Sequence, residues 1–263
     1  MPRFEPHPAR RPALIAGASA GIGAATAVAL ARLGHPVALG ARRREACEEQ
    51  AAKIRSEGGE AIAHYLDVSD DGSVADFVAA AARAHGPAEI LVSGAGDLAA
   101  AQIHEMSPAD FLAQVNVHLV GAQRLVSAVV PGMTSRRRGD VVLIGSDVVP
   151  APRPRMGAYA PSKAGLEAMA QAMRMEMEGT GVRVSVVRPG QTATAMGTQW
   201  DEQTTAAVLE DWVRWGFARH PYFLRASDLA DAITTVVSAP RGVHLTLVEV
   251  EPEAPLTPQE DPS

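Results

Sequence analysis

The sequence predicts an α/β fold of the doubly wound kind, a parallel sheet with helices on both faces. Three observations predict it. Short apolar runs alternate with helical segments along most of the chain. The first run passes through a glycine turn, "GASAGIG", straight into an Ala-rich helix. A length of 263 residues with 47% hydrophobic residues suits one domain around one large core.

The elements follow in order. "ALIA" is the first strand, and its helix stops at Gly34, where a glycine can take the left-handed conformation that ends helices. Strand "HPVALGA" and helix "EACEEQAAKIRSEGG" come next, then strand "AIAHYLDV" and helix "SVADFVAAAARAHG". Strand "EILVSGAG" precedes a long helix around Phe111 to Val130. Strand "DVVLIGS", a helix after Met156 and strand "VRVSVVRPG" complete the regular alternation. Residues 195–225 then hold all three tryptophans, with Val208, Trp212 and Trp215 spaced for one apolar helix face. A last helix, "SDLADAITTVVSAP", has Ser227 as its expected N-cap and leads to strand "VHLTLVEV". Residues 1–10 and the acidic, Pro-rich residues 251–263 are expected to be flexible, leaving 11–250 as the folded domain.

Charge and cysteine content exclude several classes. A net charge of −6 gives no attraction to nucleic-acid backbones or anionic membranes, so a small-molecule partner is expected. Cys47 is alone, which rules out an internal disulfide or a cysteine metal cluster. With no signal peptide and no apolar run long enough to span a bilayer, a cytoplasmic protein is expected. The eight histidines lack metal-ligand spacing, and no metal site is expected.

The glycine turn places Gly17, Gly21 and Gly23 where backbone can approach a pyrophosphate at the positive end of a helix. A carboxylate at the end of the second strand would bind adenosine ribose hydroxyls. This chain instead has Arg42, Arg43 and Arg44 there, which suits a 2′-phosphate and therefore NADP(H), with Arg42 as the leading contact. Arg136 to Arg138 read as a solvated basic turn.

Tyr159 and Lys163 lie one helical turn apart, the second of only two lysines following one of three tyrosines. A nearby ammonium favours the phenolate and lowers the phenol pKa, so Tyr159 could exchange a proton with a substrate oxygen during hydride transfer. Pro161 is tolerable if it lies in the first helical turn.

With "GASAGIG", Asn116 in "FLAQVNVHLVG", Ser146 thirteen residues before Tyr159, and "YAPSK", the chain resembles the classical branch of the short-chain dehydrogenase/reductase family over roughly residues 11–250. The resemblance implies a single Rossmann-like domain and four catalytic residues. Ser146 would bond the substrate oxygen, Tyr159 would be the acid/base, Lys163 would lower its pKa and bind the nicotinamide ribose, and Asn116 would support a water relay. It further implies cofactor contacts from Ser19, Ile22, Asp67, Val68, Gly94, Ala95, Pro189, Gly190, Thr192 and Thr194. Taken alone, Asp67 also reads as an Asx turn and Thr194 as a helix cap. Ala16 and "SGAG" depart from the family's usual threonine and "NNAG", and "VEVEPEAP" replaces its usual "DGG" ending.

Residues 195–225 fall where the family carries a substrate lid. Met196, Trp200, Trp212 and Phe217 would favour an apolar ketone or secondary alcohol. Packing of the lid's own helices is the alternative reading of those aromatics. The stripe Leu166, Met169, Met173 and Met177 reads as core or, following the family, as part of a homo-oligomer contact, a tetramer or dimer. The expected activity is NADP(H)-dependent oxidoreduction of a carbonyl or alcohol. The alternatives are 3-oxoacyl-carrier-protein reduction or a silent NADP-sensing scaffold.

Overall fold

The computed structural model describes residues 5–194, 200–217 and 220–256. Seven strands form one parallel sheet: β1 (Ala13–Ala16), β2 (Val37–Ala41), β3 (Ala61–Tyr65), β4 (Ile90–Ser93), β5 (Gly139–Ile144), β6 (Val182–Pro189) and β7 (Leu247–Val250). Their spatial order is β3-β2-β1-β4-β5-β6-β7. The chain winds outward from β1 to β3, then returns to the other side of β1 at β4, so the topology reverses between β1 and β4. Ligands of such sheets bind in the crevice at the carboxyl ends of the strands flanking that reversal.

β1, β2, β4 and β5 are buried at every position. Helices cover both faces, which is why these strands are largely apolar, with polar Asp140 and Ser93 at strand ends. On one face lie α1 (Gly21–Arg32), α2 (Arg44–Ser56) and α8 (Ala226–Ser238), with Leu30, Ile54 and Ile233 meeting Ile15, Leu39 and Val92. On the other lie α3 (Asp71–His85), α5 (Gly121–Ser135) and α6 (Tyr159–Glu176), with Phe77, Leu125 and Leu166 meeting Leu14, Leu91 and Leu143. The Met stripe of α6 belongs to this second core: Leu166 and Met173 are buried, and Met169 and Met177 pack against it. The stripe thus packs mainly as core, with Met169 and Met177 half-buried, and the outward face of α6 carries Met175, 80% exposed.

Several boundaries differ from the sequence expectation. The long helix is α4 (Pro108–Val115) and α5 joined by a π-helical turn, Asn116–Val120, in which Gly121 N–H bonds Asn116 O. Such turns place an extra residue in a helix and recur at functional sites. α8 starts at Ala226, with Arg225 rather than Ser227 as its cap, because the Asp228 carboxylate reaches back to accept the Arg225 N–H at 2.8 Å. β7 occupies only the last half of "VHLTLVEV".

The turn arginines are not merely solvated. Arg136 donates to Ala88 O and Arg138 pairs with the buried Glu89 at 2.8 Å. At the same end of the sheet Asp140 accepts from Arg11 and, at 2.6 Å, from Arg183. His7 bonds Ala239 O and Arg10 pairs with Glu60, so these side chains hold the described part of the N-terminal segment to the fold. Among the described residues no helix is long and apolar enough to cross a membrane, and no group of three or more His, Cys, Asp or Glu residues could hold a metal ion.

Candidate active site

The glycine turn lies at the carboxyl end of β1, tied down largely by backbone hydrogen bonds. Gly17 and Ala18 donate to Gly40 O, and Gly94 donates to Ala16 O. These bonds hold the turn to β2 and β1 to the end of β4 where the chain lacks the family's usual Thr and Asn side chains. Gly17 has φ +85°, and a Cβ there would lie 2.7 Å from Gly94 and Ala95 backbone atoms. A Cβ at Gly23 would lie 2.4 Å from Gly17 O. Only glycine lets β1, the turn and β4 come this close.

α1 opens at Gly21 with no side-chain cap and no acidic residue in its first turn. Its leading N–H groups, from Gly21, Ile22 and Gly23, thus remain available to an anion, and the donor set fits a dinucleotide pyrophosphate. Ile22 also packs against the core, and its carbonyl accepts from Thr26.

Arg42, Arg43 and Arg44 are exposed just past β2. Arg43, not Arg42, reaches back over the turn, donating to Ser19 Oγ at 3.1 Å. Arg43 thus places a cation beside the glycine turn. Arg42 instead acts electrostatically on Asp67. The Asp67 carboxylate accepts from Ser69 N–H at 2.9 Å and Ser69 Oγ at 2.6 Å, an Asx turn that holds its pKa below the usual carboxylate value. Val68 is buried beside Gly121.

At the end of β6, Gly190 donates to Val250 O, and Thr192 Oγ donates to Gly190 O. Thr194 lies 3.4 Å from the position a Gly21 Cβ would take, which brings the segment after Pro189 over the glycine turn. Met196 lies outside the described residues.

Ser146, Tyr159 and Lys163 converge beside this crevice and are all buried. α6 begins at Tyr159, so Pro161 falls in its first turn, where N–H groups have no intrahelical partner. The Lys163 ammonium is 5.5 Å from the centre of the Tyr159 ring and donates to Ile144 O at 2.8 Å. Burial dominates both titrations. It pushes Tyr159 up to about 12, against the lowering effect of the Ser146 hydrogen bond, and pulls Lys163 down to about 8. The lysine thus does not lower the phenol below its ordinary value in the protein alone. Asn116 opens the π-helical turn, and its Oδ1 accepts from Arg124 at 2.8 Å.

Several site neighbours escape motif reading. His118, two residues after Asn116, packs edge-on against Tyr159 at 5.1 Å and bonds Asp97 O through Nε2. Burial and the Lys163 charge depress it to about 3, so it stays neutral at physiological pH. Asp147 accepts from Ser146 Oγ at 3.2 Å and pairs with Arg153. Leu98, Val148, Met156 and Tyr159 form a small third apolar cluster, packed by Trp200 and Trp212. Trp200 and Trp212 donate through Nε1 to Leu98 O and Pro154 O. Of the expected face of α7 (Glu202–Arg214), Val208 is buried and Trp212 packs inward, but Trp215 is 62% exposed because the helix has ended.

A family profile described as short chain dehydrogenase matches residues 11–205, most of the chain and every element from β1 through α6 and β6. The chain belongs to the short-chain dehydrogenase family. Among relatives of this chain, glycine betaine reductase of Emericella nidulans is 36% identical over 91% of this chain, which spans 18% of that much longer protein. The 2,3-dihydro-2,3-dihydroxybenzoate dehydrogenase of Bacillus subtilis is 33% identical over 89% of this chain and 91% of its own length. A solved actinorhodin polyketide ketoreductase with NADPH superposes with a TM-score of 0.83 at 27% identity, covering 92% of this chain and 95% of its own.

Proposed function

We propose that the protein is an NADP(H)-dependent oxidoreductase that interconverts an apolar ketone and a secondary alcohol, with Tyr159 as the acid/base. One observation carries the reading: a buried phenol stands between Ser146 and Lys163 at the carboxyl edge of the sheet, beside a glycine turn whose helix N-terminus is uncapped. The NADPH-bound state of the polyketide ketoreductase and the Arg43–Ser19 contact favour the phosphorylated cofactor.

When bound, the nicotinamide would supply or accept the hydride. Gly21, Ile22 and Gly23 would hold its pyrophosphate, and Arg43 with Arg42 the ribose phosphate. In the reducing direction Ser146 donates to the carbonyl oxygen and polarises it. Tyr159 Oη gives its proton to the same oxygen as hydride arrives at the carbonyl carbon, and a secondary alcohol leaves. The phenol, pushed by burial above its ordinary value, is protonated at neutral pH, which is the state a general acid requires. Lys163, held by Ile144 O, keeps a positive charge beside the ring to receive the phenolate that forms. Trp200 and Trp212 exclude water from this proton transfer.

The test is oxidation of NADPH with a panel of aryl and alkyl ketones, followed by the absorbance of the reduced nicotinamide. Wild type should turn over at least one ketone, and Tyr159→Phe should lose about 100-fold or more in kcat while still binding NADPH. Equal turnover in the variant would refute the role of Tyr159. Tight NADPH binding with no turnover across the panel would favour a cofactor-sensing protein.

A further inference from the structure

The residue after Ser146 is a carboxylate, and its position is chemically awkward. Asp147 is 7% exposed, and its Oδ1 accepts the Ser146 hydroxyl at 3.2 Å. A serine that donates to a neighbouring carboxylate has spent its one proton and cannot donate to a substrate oxygen. A buried, uncompensated carboxylate here would hold that proton strongly, and its negative charge would oppose ionisation of the nearby phenol.

Arg153 supplies the compensation. Its Nη2 pairs with Asp147 Oδ2, and the two side chains are only 11% and 10% exposed. The guanidinium lies 5.2 Å from the Trp212 ring centre and 5.7 Å from that of Phe217. Arg153 therefore joins the Ser146 loop to the aromatic segment above it. A second contact, Arg155 to Asp211 at 2.8 Å, fixes α7 over the same loop.

We propose that Arg153 and Asp147 are positioning residues of the reaction: Arg153, held beneath Trp212 and Phe217, occupies the Asp147 carboxylate and thereby frees the Ser146 hydroxyl to turn from Asp147 to the substrate oxygen. The claim rests on the carbonyl-reductase reading of the site. Tyr159 responds to the same pair: Asp147 pushes its pKa up and Arg153 pulls it down. The other groups facing the phenol are the Lys163 ammonium and the neutral His118 ring. None of these others touches Ser146 Oγ, which donates to Asp147, accepts from Val148 N–H and also hydrogen-bonds the Tyr159 hydroxyl.

The experiment compares Asp147→Asn, Arg153→Ala, Arg153→Lys and the double variant Asp147→Asn/Arg153→Ala in NADPH-saturated protein. Carbonyl reduction is measured as kcat and KM against pH. Arg153→Ala should lower kcat at neutral pH by about tenfold or more, as loss of an oxyanion donor does, with KM much less changed. The double variant should regain most of the kcat that Arg153→Ala loses. Arg153→Lys, which keeps the charge, should fold even where Arg153→Ala does not and should hold kcat close to wild type. An unchanged kcat in Arg153→Ala, or a double variant no better than it, would overturn the proposal.

A readout free of turnover separates this claim from the functional reading. The tyrosinate absorbance of each NADP+-saturated variant is titrated after subtracting its own Tyr159→Phe counterpart, which removes Tyr65 and Tyr222. Midpoints rising in the order Asp147→Asn, wild type, Arg153→Ala support the pair even if no ketone is reduced. Equal midpoints overturn it even in an active enzyme.

Discussion

Lys163→Met should make the protein more stable at neutral pH while destroying its activity. The Lys163 amine is buried, and its pKa falls from 10.5 to about 8. At about 1.4 kcal/mol per unit, keeping it charged in the fold costs about 3 kcal/mol of stability. Methionine has a similar unbranched stem and no charge, but it forfeits the bond to Ile144 O, worth about 1 kcal/mol. The net gain is about 2 kcal/mol, or roughly 5 °C in Tm for a chain of this size. The sign with pH is fixed by linkage. Between pH 8 and 10.5 the unfolded chain binds the proton that the folded protein has lost, so wild-type stability gains with rising pH and the advantage of the variant shrinks. Tyr159 works in the opposite direction above pH 10, because its folded value is raised to about 12, so comparisons belong below that pH. Urea unfolding followed by circular dichroism, at pH about 7 and about 9.5, measures both quantities. A variant less stable than wild type at neutral pH, or a difference that does not change with pH, would refute the reasoning.

Other outcomes follow from the same geometry. Arg43→Ala should weaken NADPH binding about 5- to 30-fold and leave NADH nearly unchanged, since an exposed charge-assisted contact is worth about 1–2 kcal/mol; Arg42→Ala should lose less, as fluorescence titration of the reduced nicotinamide would read. Equal losses for both cofactors would place the arginines outside the phosphate site. Asp140→Asn leaves Arg11 and Arg183 with an uncompensated buried charge and should cost about 3–5 kcal/mol in urea unfolding. A loss below about 1 kcal/mol would mean that Glu89 and solvent already balance that cluster.

Local signals carried much of the design. The alternation of apolar runs and helices, and the glycine turn after β1, specified the parallel sheet, because strands buried on both faces are largely apolar and only glycine fits between β1 and β4. Tyr159 and Lys163 were visible because a helix brings residues four apart onto one face, and that relation is written in the sequence. Boundaries were less legible where side chains from the next turn decide them, as at Asp228 capping Arg225. The π-helical turn at Asn116 has no composition of its own, so the chain from Phe111 to Val130 read as one helix.

The sequence by itself therefore determined the fold class, the glycine turn and the spacing of Ser146, Tyr159 and Lys163, all of which depend on residues near one another in the chain. Tertiary structure alone decided the electrostatics. Burial raises the phenol of Tyr159 and lowers the ammonium of Lys163 and the imidazole of His118, and burial is a property of packed layers rather than of any local pattern. It also chose Arg43 over Arg42 as the side chain against Ser19, and turned Arg136 and Arg138 from a basic turn into partners of Ala88 and Glu89. Those pairings join residues 24 and about 50 positions apart, and only the folding of the sheet brings them within hydrogen-bond distance.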